Sequence, residues 1–168
     1  MSAVVVDLET FGVAPDSAVV TIGAVNVDTN EQFYEQIANP SGRIDAGTVQ
    51  WWFRQAPAVI AEAREGKPEL IVLALFAEWL TKQRSGENGL RLWGSEDFDT
   101  VILGAAYDRH GLTRPWSYFE SRGLRTIFEI AGVDEDAIPW VGVEHVAIDC
   151  AVHAATALRM ALAARRED

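Results

Sequence analysis

Cysteine, lysine and long apolar runs are scarce in this 168-residue chain. The single cysteine, Cys150, excludes an internal disulfide framework and a cysteine-rich zinc site. Lys67 and Lys82 are the only lysines, and the net charge is −11, which argues against a broad basic face gripping duplex nucleic acid non-specifically. Charges interrupt the apolar stretches before a membrane-spanning length, so no membrane partner is expected. The start, MSAVVVDLE, has no basic segment and no small-residue cleavage site, so no secretory signal is expected and the chain is placed in the cytoplasm. Repeats, low-complexity linkers and domain boundaries are absent as well. One domain over residues 1–168 follows, with a hydrophobic fraction of 49% to build its core.

What is present begins with valine. Ala3 to Leu8 reads as a buried strand. Gly12 to Asp16 reads as a loop. Ala18 to Val27 and Gln32 to Ile37 read as two further strands, joined by a turn at Asp28-Thr29-Asn30, which would extend the first strand as an antiparallel meander. A short helix is predicted over Thr48–Gln55. A second is predicted over Pro68–Gln83, with Leu70, Leu73, Ala74, Ala77 and Leu80 on its apolar stripe. Leu90–Trp93 reads as a strand after Asn88-Gly89, and Phe98–Arg109 as a helix stopped at Gly111. Arg125–Ala131 is a short strand or helix, and the alanine-rich Glu144–Ala164 is the clearest helix. Strands first and alternating helix and strand afterwards predict an α/β fold with a mixed sheet and helices on both faces.

Asp7 and Glu9 lie two apart on the first predicted strand, so their side chains share one face. Paired carboxylates repel, and a divalent cation relieves that cost. On this dipeptide alone, solvated charges at a strand end are the better reading. Further acids change the balance. Asp99 opens a predicted helix, where an acid ordinarily caps or answers the helix dipole. Asp97 could cap instead, leaving Asp99 free, and Asp97 is also the fallback ligand. His145 and Asp149 lie four apart, on one face if both are helical. The ordinary reading of that pair is a surface contact. The chemical reading makes His145 a general base. Such a set of acids suits phosphodiester hydrolysis with two cations about 3.5–4 Å apart. Trp51 and Trp52 are candidates to stack on unpaired bases, with at least one expected in the core. Arg54 and Gln55 could reach a phosphate or base edge. His110 and His153 are read as bystanders.

Ordered along the chain, these segments resemble the DEDD 3′–5′ exonucleases of the RNase H-like fold. Val5-Val6-Asp7-Leu8-Glu9-Thr10 resembles their first motif. Trp93-Gly94-Ser95-Glu96-Asp97-Phe98-Asp99 resembles the second, one residue shorter than usual before Phe98. Glu144-His145-Val146-Ala147-Ile148-Asp149-Cys150 resembles the third, with the histidine of the DEDDh branch. Between the motifs, Ala18 to Val25, Thr48 to Trp52 and Arg125-Thr126 are similar to the phage DexA-like and mycobacterial-type exoribonuclease subgroup. The resemblance covers nearly the whole chain.

It implies an RNase H-like sheet and a metal-dependent exonuclease that degrades single-stranded RNA or DNA from the 3′ end to nucleoside 5′-monophosphates. It implies Asp7, Glu9, Asp99 and Asp149 as ligands of two Mg²⁺ or Mn²⁺ ions, and His145 as the base. It makes Thr10 and Phe11 candidates to pack on the terminal nucleotide, and it admits a homodimer. In the family the last acid lies five residues after the histidine, a position held here by Cys150. Three registers are open: Asp149 serves after a small backbone adjustment, which is favoured; Glu144 takes the base position, five residues before Asp149; or Cys150 replaces the acid. The last would leave a nuclease-fold binding module with weakened or lost catalysis.

Overall fold

A computed structural model describes residues 2–63, 65–84 and 89–167, with side chains through residue 164. The valine-rich start forms β1 (Ser2–Thr10), which pairs antiparallel with β2 (Val19–Asn26), and β2 in turn pairs with β3 (Gln32–Ala38). On the other side of β1 lie β5 (Leu90–Gly94) and β6 (Ser121–Gly123), both parallel additions. The two-residue β4 (Lys67–Pro68) closes the far edge, giving the order β4-β3-β2-β1-β5-β6 among the described residues. β1 is therefore a central strand covered on both faces, which is why it is continuously apolar up to Asp7.

Side-chain alternation along β1 sorts the core into two layers. Val4, Val6 and Leu8 join the cluster under α3 (Glu69–Lys82) and α4 (Asp99–Arg109). Ala3 and Val5 join the cluster under α5 (Leu124–Ala131) and α6 (Ala147–Glu167). Asp7 and Glu9 continue the second face. They meet the first turn of α6 where the apolar core gives way to a cleft.

Several local expectations change. The buried stripe of α3 is Glu69, Val72, Leu73, Phe76 and Leu80, whereas Leu70 and Ala74 face outward. The aromatic ring of Phe76, packed on Phe33, sets that rotation. Arg125–Ala131 belongs to a helix, one residue longer at its start. The last helix begins at Ala147, three residues later than the alanine pattern suggested, so Glu144 and His145 precede it. Over Ala147–Ala164 this helix is long and apolar enough, by length and composition, to cross a membrane; 44% of that window is buried within the fold. Asn88 lies outside the described residues. The described residues also include the short helices α1 (Ala46–Trp52), capped by the Asp45 carboxylate accepting from the Thr48 N–H, and α2 (Pro57–Ala61), and a 3-10 turn at Glu135–Ala137.

Candidate active site

The first turn of α6 approaches β2 unusually closely because β2 carries Gly23 opposite Asp7. A Cβ on Gly23 would lie 2.3 Å from the carbonyl carbon of Ala147 and 2.6 Å from the amide nitrogen of Ile148. The absent side chain therefore sets the height of the helix over the sheet. At that height Cys150 meets the acids of β1: ligand atoms of Asp7, Glu9 and Cys150 all lie within 4.8 Å of one another. A register shift between Glu9 and Thr10 in the β1–β2 ladder bends the strand here, a common device beside active sites.

Asp99 approaches β1 from α4, close enough to act on the charge of both Asp7 and Glu9. Its Oδ1 accepts from the Leu8 N–H at 3.1 Å and its Oδ2 from the Ser95 N–H at 2.6 Å. The β1–β5 pairing ends at Val5 and Trp93, so the Asp99 carboxylate takes over a β1 donor that β5 no longer meets. Asp97 neither caps α4 nor joins the cluster; it occupies an exposed turn at φ +58°. Asp99 opens α4 as its one first-turn acid, but its carboxylate is committed to the Leu8 and Ser95 amides outside the helix.

Asp149 does not join Asp7 and Glu9, contrary to the favoured register. Its Oδ2 accepts from the Val143 N–H at 2.7 Å, and its carboxylate packs over Gly142, which has φ +97°. It ties down the segment before α6 and is not one of the ligand atoms gathered with Asp7 and Glu9. The backbone adjustment ahead of the helix does not carry Asp149 to the cluster. His145 stands before the helix, with backbone in the left-handed region at φ +66°. The next inward-facing position is then Cys150. Glu144 is exposed, and its Oε1 lies 3.9 Å from His145 Nε2.

The cluster opens into a cleft of about 510 Å³, lined by Asp7, Glu9, Thr10, Trp51, Phe98 and His145, with Cys150 at its floor. The Trp51 ring stands edge-on to the His145 imidazole, centroids 4.8 Å apart. Trp52 is core: its Nε1 donates to the Thr10 carbonyl at 2.9 Å. Phe11 packs edge-on to Trp52 and lines a separate apolar hollow with Ile44 and Phe53. Gln55 folds back onto the Trp51 carbonyl. Of the substrate-facing candidates, Thr10 and Trp51 therefore border the cleft, while Phe11, Trp52 and Gln55 do not. His110 bonds Glu69, and His153 stacks on Trp140 with centroids 4.1 Å apart.

Some neighbours carry no signal in the sequence. Val13, largely exposed, forms part of the cleft rim. A recess beyond Asp7 and His145 is lined by Arg125 and by Glu135 of a 3-10 turn. Glu62 is buried near Glu9, with the Tyr34 hydroxyl donating to it and its second oxygen unpartnered. Val13 and Glu62 reach the site from irregular segments, where no periodicity marks them.

Like charges held out of water resist ionisation. Burial, then Asp99 and Glu9, hold the Asp7 carboxyl well above its usual range. Burial, then Glu62 and Asp99, push Glu9 from 4.5 to about 8. Burial pushes Asp99 up to about 7 despite its backbone hydrogen bonds, which oppose the shift. Burial and then Asp7 raise the Cys150 thiol, with a hydrogen bond from the His145 backbone acting the other way. Among the described residues none of the three acids has a basic partner, so no neighbour offsets their charge when they ionise.

A stability signature results. Folded Glu9 binds its proton more tightly than the unfolded chain does, so its contribution is fully present below about pH 4.5 and lost as pH rises to about 8. Metal-free wild type and Glu9→Gln should melt alike near pH 5. At pH 8 the variant should melt higher, and divalent cation should raise the wild-type melting temperature far more than the variant's. Thermal melts in EDTA and in Mn²⁺ check both.

Residues 2–162 match the family model described as the 3′-5′ exoribonuclease Rv2179c-like domain. No curated protein matches the sequence significantly. Among solved structures, the chain is similar to the nuclease domain of 3′hExo, a DEDDh family member bound to rAMP. That likeness has a TM-score of 0.63 at 11% identity, covering 99% of this chain and 92% of that one. Exonuclease X in complex with 5′ overhanging duplex DNA gives 0.51 at 13% identity, covering 96% and 92%. Cell-death related nuclease 4 gives 0.54 at 14%, where the chain covers 64% of the nuclease. The shared fold is the mixed RNase H-like sheet of the DEDDh exonucleases.

Proposed function

Because the chain belongs to the 3′-5′ exoribonuclease Rv2179c-like domain family, a family of hydrolases, we propose that it shortens single-stranded RNA from the 3′ end by water attack on the terminal phosphodiester, releasing nucleoside 5′-monophosphates. The observation that carries this reading is Asp7 and Glu9 in one cleft with His145 on its wall, and the buried Asp99 carboxylate bonded to the Leu8 amide between the two acids. Three buried carboxylates without basic partners fit hard divalent cations. Bound Mg²⁺ or Mn²⁺ would supply Lewis acidity at the scissile phosphate and offset its charge.

The chain's own residues do the rest. Asp7 and Glu9 share one strand face and Asp99 is pinned to the intervening Leu8 amide, so the three are held without reorganisation. The His145 imidazole, half-exposed over the cleft, takes a proton from the attacking water. Trp51 offers a ring face to the terminal base. Exposed Arg125 brings a guanidinium to the phosphate side, which the acidic cluster would otherwise repel.

The test is shortening of 5′-labelled single-stranded RNA in Mg²⁺ or Mn²⁺, with Asp7→Asn as control and chromatographic identification of products. A ladder receding from the 3′ end with mononucleotide release is expected. No metal-dependent, Asp7-dependent shortening sinks the proposal. A binding module that has lost catalysis is the second reading, favoured by Cys150 where a fourth acid is expected. Tight RNA binding without shortening would select it.

Trp51→Ala should raise KM about tenfold or more while changing kcat less, since stacking is worth about 1–3 kcal/mol per base. Steady-state kinetics on a short oligonucleotide separates the two constants. An unchanged KM would remove Trp51 from the substrate contact.

A further inference from the structure

The fourth position of the cluster is a thiol, and thiol chemistry differs from carboxylate chemistry in which ions it favours. Hard Mg²⁺ demands oxygen ligands, whereas sulfur favours borderline and soft ions. Cys150 Sγ shares a 4.8 Å neighbourhood with oxygens of Asp7 and Glu9. Donor atoms about 2.0–2.3 Å from one ion lie about 3–4 Å apart, so side-chain movements of about an ångström would close a sphere around a cation.

Glu9 supplies an independent observation. Its side chain is 8% exposed, faces the cleft, and has no hydrogen bond or ion pair among the described residues. A buried carboxylate without a partner is costly unless a cation answers it. The acid that could have made the site all-oxygen, Asp149, is committed to the Val143 amide.

We propose that Asp7, Glu9 and Cys150 form a mixed carboxylate–thiolate site that takes a borderline-soft divalent cation of the Co²⁺ and Zn²⁺ class, with a discrimination against Mg²⁺ that the thiol itself creates. The inference rests on the nuclease reading only in placing a cation at these acids. On coordination, the thiol proton passes to solvent and the sulfur lone pair binds the ion. Even an all-carboxylate site prefers Co²⁺ to Mg²⁺. The thiol's share must therefore be read from sulfur itself and from the change in preference when sulfur is replaced.

Cys150 is the only cysteine, so any sulfur-to-cobalt charge-transfer band reports it alone. Co²⁺ is titrated into the reduced, metal-free full chain under anaerobic conditions. A near-ultraviolet band saturating at one equivalent is expected. Asp7→Asn should weaken the binding that produces it by at least about tenfold, the scale on which even outer partners of a metal ligand matter. Cys150→Ser should abolish the band. Cys150→Asp should tighten Mg²⁺ and lower the Co²⁺-over-Mg²⁺ affinity ratio by about tenfold or more.

Co²⁺ binding by wild type without the band overturns the inference, and this measurement needs no variant to fold. A band whose affinity ignores Asp7→Asn also overturns it, since sulfur would then bind outside the cluster. A Cys150→Asp protein that is folded by circular dichroism but keeps the wild-type ratio does the same. RNA shortening that requires Asp7, combined with no band, defeats the thiol site and spares the exonuclease. The band without any shortening does the reverse.

Discussion

Asp7→Asn should cut RNA shortening by about a thousandfold while making the metal-free protein more stable. Cation-based charge stabilisation at a phosphate is worth several kcal/mol, and each 1.36 kcal/mol is tenfold in rate. Asp7 holds its position through the backbone of a central strand, paired with Gly23 across β2, so an isosteric amide leaves the frame intact. The same substitution removes a carboxyl that burial and the neighbouring acids Asp99, Glu9 and Glu135 keep from ionising comfortably. Opposite signs for activity and stability mark a residue retained for chemistry at the expense of the fold. Single-turnover shortening assays and melts in EDTA at pH 8 measure the two quantities. Loss of both activity and stability would make Asp7 a structural residue.

Gly23→Ala should damage both the fold and the site. The new Cβ would meet main chain, the Ala147 carbonyl and the Ile148 amide, rather than a side chain able to swing away. Overpacking of this kind costs about 1–3 kcal/mol, and more where backbone must move. The first turn of α6 has to lift, carrying Cys150 off the cluster and His145 off its wall. Activity should fall further than the lost folded fraction explains, and Co²⁺ affinity should fall with it. The melting temperature, RNA shortening at a temperature where the variant is folded, and Co²⁺ titration together check this. A variant that melts lower but keeps full activity would uncouple helix height from the site.

How far the sequence reached depends on whether a feature is local. Val4 to Leu8 reveals the central strand, and period two alone aligns Asp7 with Glu9. Asp99 was readable for a similar reason: Phe98 anchors it at the start of a helix directly after a strand. The far end of the site was not. His145 lies outside the helix at positive φ, and the backbone adjustment ahead of the helix does not bring Asp149 to where Cys150 stands. Trp51 and Trp52 differ by one residue on one helix, about 100° apart, and only packing decides which faces the cleft. Phe11 went to a hollow beside Trp52 because the bend after Glu9 turns the chain away. Short elements such as β4 and β6 take their identity from the strands they pair with, and their own composition says little.

The left-handed backbone at His145 narrows what can replace it. Asparagine, aspartate and glycine tolerate that conformation, while glutamine, glutamate and the β-branched residues do so poorly. Of the tolerated replacements only aspartate carries a group that exchanges a proton, and its carboxylate reaches less far than the imidazole; glutamate, with the longer reach, is penalised by geometry. In a library randomised at this codon, survivors selected for folding and survivors selected for turnover should scarcely overlap.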